Sequence, residues 1–161
     1  MVVLLQRDLE LCVSELHGIR VAFACKDLER IDAICRAHEL GKNEAPIDLV
    51  DVLGLPKYPP DSVRRVIWPK SQRGTPPVLV GPTVSVEVVE LGRLFPLPEI
   101  VSGLRQRIGV IGVFKDGDAF VLLLDAAYLV RGVNSSYTSE QGDCSPGIPG
   151  GVSNKNGTNE A

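Results

Sequence analysis

The sequence predicts a mainly β protein built from two related halves, and three observations support this. Apolar residues make up 44% of the chain but aromatics only 5%, so Val and Leu carry the core, a composition that suits strands. Twelve Pro and sixteen Gly interrupt the chain too often for a helical bundle. Finally, one phrase occurs twice. Ala45-Pro46-Ile47-Asp48-Leu49-Val50-Asp51-Val52-Leu53 is echoed by Leu122-Leu123-Leu124-Asp125-Ala126-Ala127-Tyr128-Leu129-Val130. In both, an apolar run reaches an Asp, and two apolar residues follow four and five positions later. That is a buried strand handing over to a short helix, with the Asp accepting from the first unpaired helix N–H groups. A second echo repeats Gly18–Leu28 as Gly74–Val84, at an offset of 56.

Taken in order, Leu9 to Leu16 reads as a strand, His17-Gly18 as a turn, and Ile19 to Cys25 as the return strand of a hairpin. Lys26 to Arg30 is a charged corner, and Ile31 to Cys35 fits strand or helix. Asp48 to Leu53 reads as a short helix stopped by Gly54 and Pro56. Lys57 to Asp61 is a proline-rich connection between a first half at 9–56 and a second at 62–131. Arg64 to Trp68 is a strand, Gln72 to Thr75 a turn, and Val78 to Val80 begins another strand. Val84, Val86 and Val88 alternate with Ser85, Glu87 and Val89, as in a half-buried strand. Pro96 and Pro98 end that pattern. Ile108 to Phe114 and Ala119 to Leu124 flank Lys115-Asp116-Gly117-Asp118, a hairpin whose Asp-Gly tolerates positive φ. From 132 to 161 six Gly, five Ser and four Asn occur without an apolar run, a composition expected to be disordered. The domain therefore spans 1–131. The halves are unequal: a full hairpin precedes Asp125, whereas only polar Gly41-Lys42-Asn43-Glu44 and room for one strand precede Asp48.

The net charge is −3, and 1–131 holds 16 basic and 17 acidic side chains with no basic stripe. Strong phosphate-driven nucleic-acid binding is not expected. No apolar run approaches the ~20 residues that span a bilayer, and Met1 to Leu5 lacks a signal peptide's basic start. A cytoplasmic location is expected. Cys12, Cys25 and Cys35 lie in apolar patterns and Cys144 in the tail, with no Cys-x-x-Cys pair, as for free thiols in a reducing compartment. Cys35-x-x-His38 with Cys25 lacks a second ligand pair for a structural zinc site, and no metal is expected. His17 sits in a turn. A Cys–His nucleophile lacks an oxyanion hole or an orienting acid, and Asp48, Asp51 and Asp125 are better read as helix-start residues than as catalytic carboxylates. Gly147 to Gly151 is no phosphate loop, having no strand or helix around it. Asn134-Ser135-Ser136 and Asn156-Gly157-Thr158 match glycosylation sequons by chance. Leu28 and Ile31 stand among charged residues, where apolar side chains serve either as partner contacts or as half-buried core.

The chain resembles the CheW-like domain family, adaptors of bacterial chemosensory arrays. Leu97-Pro98-Glu99, Ile108-Gly109-Val110-Ile111-Gly112-Val113, and Phe120-Val121-Leu122-Leu123-Leu124-Asp125 with Leu129 are similar to that family's C-terminal half. Val78 to Val80 with Val84 to Val88 is similar to its preceding strands. Ala45-Pro46-Ile47-Asp48-Leu49 and Leu53-Gly54-Leu55 look like its Pro-apolar-apolar-Asp-Leu and Leu-Gly-Leu run. The resemblance implies two intertwined SH3-like five-stranded β-barrels, the first short of a strand and of the family's Asn-Leu-Arg-Gly turn. It implies no catalysis and no cofactor. It also implies an adaptor that couples chemoreceptor tips to the regulatory domain of a CheA-type histidine kinase, or links two such pathways. Carried over by position, Leu28 and Ile31 would face the receptor groove and Val84 and Val86 would lie near the join between barrels. The alternative is a small β-barrel binding a peptide or ligand outside two-component signalling. An exposed edge in the shortened half would also allow self-association.

Overall fold

The structure, a computed structural model, describes residues 7–34, 40, 45–70 and 75–137. Leu9 to Ala24 folds as expected: β1 (Asp8–Leu16) and β2 (Ile19–Ala24) form an antiparallel hairpin. The turn places His17 at φ 49° and Gly18 at φ 83°. The charged corner is a 3-10 turn at Cys25–Asp27, and the ambiguous segment after it is a strand, β3 (Leu28–Ile34). Next come β4 (Ile47–Asp48), α1 (Leu49–Leu53), β5 (Arg64–Pro69), β6 (Val78–Leu79) and β7 (Val84–Glu90). The second half closes with β8 (Leu94–Pro96), α2 (Ser102–Ile108), β9 (Val110–Asp116), β10 (Ala119–Leu124) and α3 (Ala126–Tyr137). The sequence pattern, which stops at Pro98, does not reveal α2. α3 runs past Gly132, six residues into the segment read as tail. The Gln72–Gly74 turn, Cys35, His38, Gly41 to Glu44 and 138–161 lie outside the described residues.

The strands form two sheets. The first has six, in the order β7-β1-β2-β10-β9-β8, and the second four, in the order β3-β5-β6-β4. Their pairings match strand for strand. β1 pairs antiparallel with β2 and β7, as β5 does with β6 and β3. β10 runs parallel to β2, as β4 does to β6. β10 and β4 then lead into the helices that Asp125 and Asp48 start. Among the described residues the second sheet has no counterpart of β9 and β8. The proline-rich 57–61 segment joins α1 to β5, so each sheet draws strands from both sides of it.

The register carries the upstream echo to single residues. Leu28 lies opposite Pro69, and Val84 lies opposite Ser14 in the matching place. Ile31 opposite Ile67 matches Val86 opposite Cys12. A bulge between Leu28 and Arg30 takes up the extra residue.

Two cores result. Leu11, Val13, Ala22, Val89, Phe114, Val121 and Leu123 fill the concave side of the curled six-stranded sheet. The larger core lies between the sheets and helices. It takes Cys12, Val21, Phe23 and Leu124 from one sheet, Leu28, Ile47, Ile67 and Val78 from the other, and Leu49, Val50, Leu129 and Val130 from α1 and α3. The alternation in β7 marks two faces, and packing decides which of them is covered. Val89 is buried, while Val86 and Val88 are 63% and 64% exposed. The Val86 face lies on the Cys12 side of the sheet. β7 is the edge strand, so this row runs out beyond the cover of the second sheet.

Candidate partner-binding surfaces

The convex face of the six-stranded sheet decides what is available to a partner. Residues paired directly opposite share a face, so this face collects Val84, Val86 and Val88 of β7, Cys12 and Ser14 of β1, Val21 and Phe23 of β2, and Leu122 of β10. The second sheet covers the middle of it. Two apolar flanks stay open.

On the β7 flank, the four residues singled out from the sequence form two matched pairs with different burial. The inner pair is Leu28, 7% exposed within the inter-sheet core, and Val84, half-buried against that core. The outer pair is Ile31 and Val86, both exposed. Each outer residue continues a row whose inner neighbour, Ile67 or Cys12, belongs to the core. Ile31 and Val86 thus lie at the margin of the space between the sheets. Val88 extends the β7 row and was not singled out, although its two-residue spacing from Val86 places it on the same face. A cleft of about 490 Å³ adjoins this flank, lined by Glu10, Cys25, Lys26 and Leu91.

On the opposite flank, Phe95 of β8 pairs with Val113 of β9, and Phe120 of β10 pairs with Lys115. With Ile111, two residues from Val113, they form an exposed apolar patch in which Phe120 is 66% accessible. Arg93 donates to the Lys115 carbonyl at 2.6 Å and closes the patch on one side. The sequence reading placed Phe120 and Ile111 in hairpin strands without assigning their face. At the end of the sheet a second cleft, of about 500 Å³, runs from Leu9, Ala24 and Leu91 to Ile111, Leu124 and Pro69, and shares Leu9, Lys26 and Leu91 with the first.

The polar side chains serve the framework. Asp48 accepts from Val50 N at 3.1 Å and holds Arg64 through two contacts of 2.7 Å. Arg64 Nε donates to the Val80 carbonyl at 2.9 Å, and its guanidinium lies over Tyr58, which stacks on His17. Asp125 accepts from Ala127 N and Tyr128 N. Arg20 reaches across β1 to Glu87 at 2.7 Å and also pairs with Asp116, the hydrogen bond that chiefly raises its pKa. Burial, reinforced by the neighbouring Cys25, pushes the Cys12 thiol up to about 12, and burial followed by Glu10 raises that of Cys25. Both thiols are therefore protonated and poorly nucleophilic at neutral pH. Among the described residues no group of three His, Cys, Asp or Glu could hold a metal ion, and no helix is long and apolar enough to cross a membrane. Cys35 and His38 are not among them.

Two sheets matched strand for strand, packed through a common core and entered by Asp-capped helices, define the CheW-like scaffold fold. The chain is similar to the crystal structure of the scaffolding protein TtCheW from Thermoanaerobacter tengcongensis, with a TM-score of 0.55 and 16% sequence identity, covering 73% of this chain and 88% of that one. This bears out the resemblance carried by the Leu-Asp strand ends. No protein-family model matches the sequence, and no curated protein matches it.

Proposed function

We propose that this protein is a non-enzymatic cytoplasmic adaptor of bacterial chemosensory arrays. In this reading it couples a chemoreceptor tip to the regulatory domain of a CheA-type histidine kinase, or links two such pathways. The observation that carries the reading is the shared CheW-like fold, combined with two separate apolar flanks on one sheet face. An adaptor has to hold two partners at once, and two flanks separated by a covered centre meet that need. Exposed apolar clusters of this kind mark protein interaction sites rather than solvated surface.

The β7 flank, with Ile31 and Val86, is assigned to one partner. The Phe95–Ile111–Phe120 patch is assigned to the other. Leu28 and Val84 support the first flank from beneath as its inner pair. The barrel architecture proposed with this role is two intertwined SH3-like barrels, the first reduced. The matched pairings of β3-β5-β6-β4 and β7-β1-β2-β10 support it.

Pull-down of receptor and kinase fragments from the same organism tests the proposal. Val86→Lys and Phe120→Lys should each lose a different partner while keeping the wild-type melting temperature. Capture of neither fragment by the wild-type protein would reject the adaptor reading and leave a peptide- or ligand-binding module outside two-component signalling.

A further inference from the structure

Among the described residues the two sheets end in four edge strands, and three are guarded against pairing with another chain. β4 has only two residues, β8 has three and ends in Pro96, and β3 carries a bulge with Arg30 and Asp32 along it. Short strands, proline, bulges and charge are the means by which sheet edges avoid intermolecular pairing. β7 is long, free of proline and unbulged, and its charges are confined to Glu87 and Glu90. Its Val-Ser-Val-Glu-Val-Val-Glu run pairs with β1 over all seven residues without a bulge.

The polarity of the free edge follows from the ladder. Leu91 N donates to the Arg7 carbonyl at 2.7 Å, so the odd-numbered residues of β7 turn their backbone groups toward β1. Alternation then turns those of Val84, Val86, Val88 and Glu90 outward. A second β7 laid antiparallel about a two-fold axis through Glu87 sets Val86 against Val88 of the other copy, and Val84 against Glu90. All of these carry outward-pointing groups, so donors meet acceptors along the whole strand. On the convex face the pairing joins Val86 and Val88 of each copy into one four-valine patch.

The axis would otherwise set two Glu87 carboxylates opposite each other, a destabilising arrangement. Here Glu87 is drawn off the edge. It reaches back over β1 to Arg20 at 2.7 Å, and Ser85 Oγ lies at 3.2 Å from it. Its charge is offset in part by Arg20, which it shares with Asp116 within its own subunit.

We infer that β7 is a self-association edge, at which two copies of this chain join their six-stranded sheets into one continuous sheet through antiparallel β7–β7 pairing centred on Glu87. A single seven-residue strand buries less than the ~1,200 Å² of stable complexes, so the dimer is weak and forms with rising concentration. This inference does not depend on the adaptor role.

Sedimentation velocity of the full chain from micromolar to submillimolar concentration tests it. The wild-type protein should move from monomer to dimer. Val88→Pro removes one outward N–H without touching the β1 ladder, and should weaken the dimer at least ~10-fold at an unchanged melting temperature. Under mild oxidation, the thiol introduced by Glu87→Cys should cross-link two copies above the wild-type background, and that introduced by Ser85→Cys should not. A wild-type protein that stays monomeric, a Val88→Pro dimer as tight as the wild type, or a cross-link from position 85 in preference to 87 would overturn the inference.

Discussion

Asp48 and Asp125 occupy the same place in the sequence echo, yet replacing them should have different consequences. Asp125→Ala removes a cap, which costs about 1 kcal/mol. Asp48→Ala removes a similar cap and also strips Arg64 of its partner. The Arg64 side chain is 8% exposed, and a charge left uncompensated at such depth costs about 3–5 kcal/mol. Asp48 itself keeps 26% exposure, which softens the pairing, so the lower end applies. The expected loss is about 4 kcal/mol, a large share of the ~5–15 kcal/mol stability of an ordinary domain. Asp48→Asn keeps a capping oxygen but loses the charge, and should fall between the two. Urea titrations at neutral pH, compared at equal m-values, give the three numbers. If Asp48→Ala is no more damaging than Asp125→Ala, the Arg64 pair contributes nothing and the reasoning from burial is wrong.

Three further outcomes are expected. Leu28→Asp should cost about 3 kcal/mol or more through a buried unpaired charge, whereas Ile31→Asp should leave thermal unfolding within about 0.5 kcal/mol of wild type; equal losses would place Ile31 in the core. Gly81→Ala should destabilise by about 2–3 kcal/mol, because its Cβ would fall 1.9 Å from the Glu15 carbonyl oxygen where β6 turns into β7; calorimetry showing an unchanged melting temperature would disprove that close approach. The folded Cys12 thiol titrates at about 12 against 9.0 for the free group. Folding therefore favours its neutral form, so this stability is complete below pH 9 and is lost as pH rises toward 12, up to roughly 4 kcal/mol. Stability curves between pH 9 and 11 should be flatter for Cys12→Ala than for wild type.

Much of the fold can be read locally. The β1–β2 and β9–β10 hairpins follow from apolar runs around His17-Gly18 and Asp116-Gly117, and α1 follows from Asp48 before it and Gly54, at φ 67°, after it. The match of Leu28 with Val84 was legible because the two halves keep the same order of turn and strand. α2 was not, because Ser102 to Ile108 carries no strong period and its place depends on packing beside α3. The candidate surfaces were half legible. The rows of Ile31 and Val86 are visible as apolar residues among polar ones, but their accessibility is not. Phe95, Ile111 and Phe120 come together only through strand pairing.

By itself the sequence determined the two hairpins, the strands that run into Asp48 and Asp125, and the two Asp-started helices, all of which depend on residues a few positions apart. It also showed the repeat, but it left β3 open between strand and helix and did not show β8. Only the tertiary structure decided which side of β7 faces solvent, since period-two alternation marks two faces without saying which one a second sheet will cover. Burial alone separates Leu28 from Ile31. The same holds for the two aspartates. Their capping role is local and readable in both. Asp48 alone gains a buried arginine, because β4, β6 and β5 lie side by side and carry Arg64 to it across β6. In the matching place of the first sheet stands Leu9, two residues before Leu11 as Arg64 is before Val66, and a leucine cannot pair with Asp125.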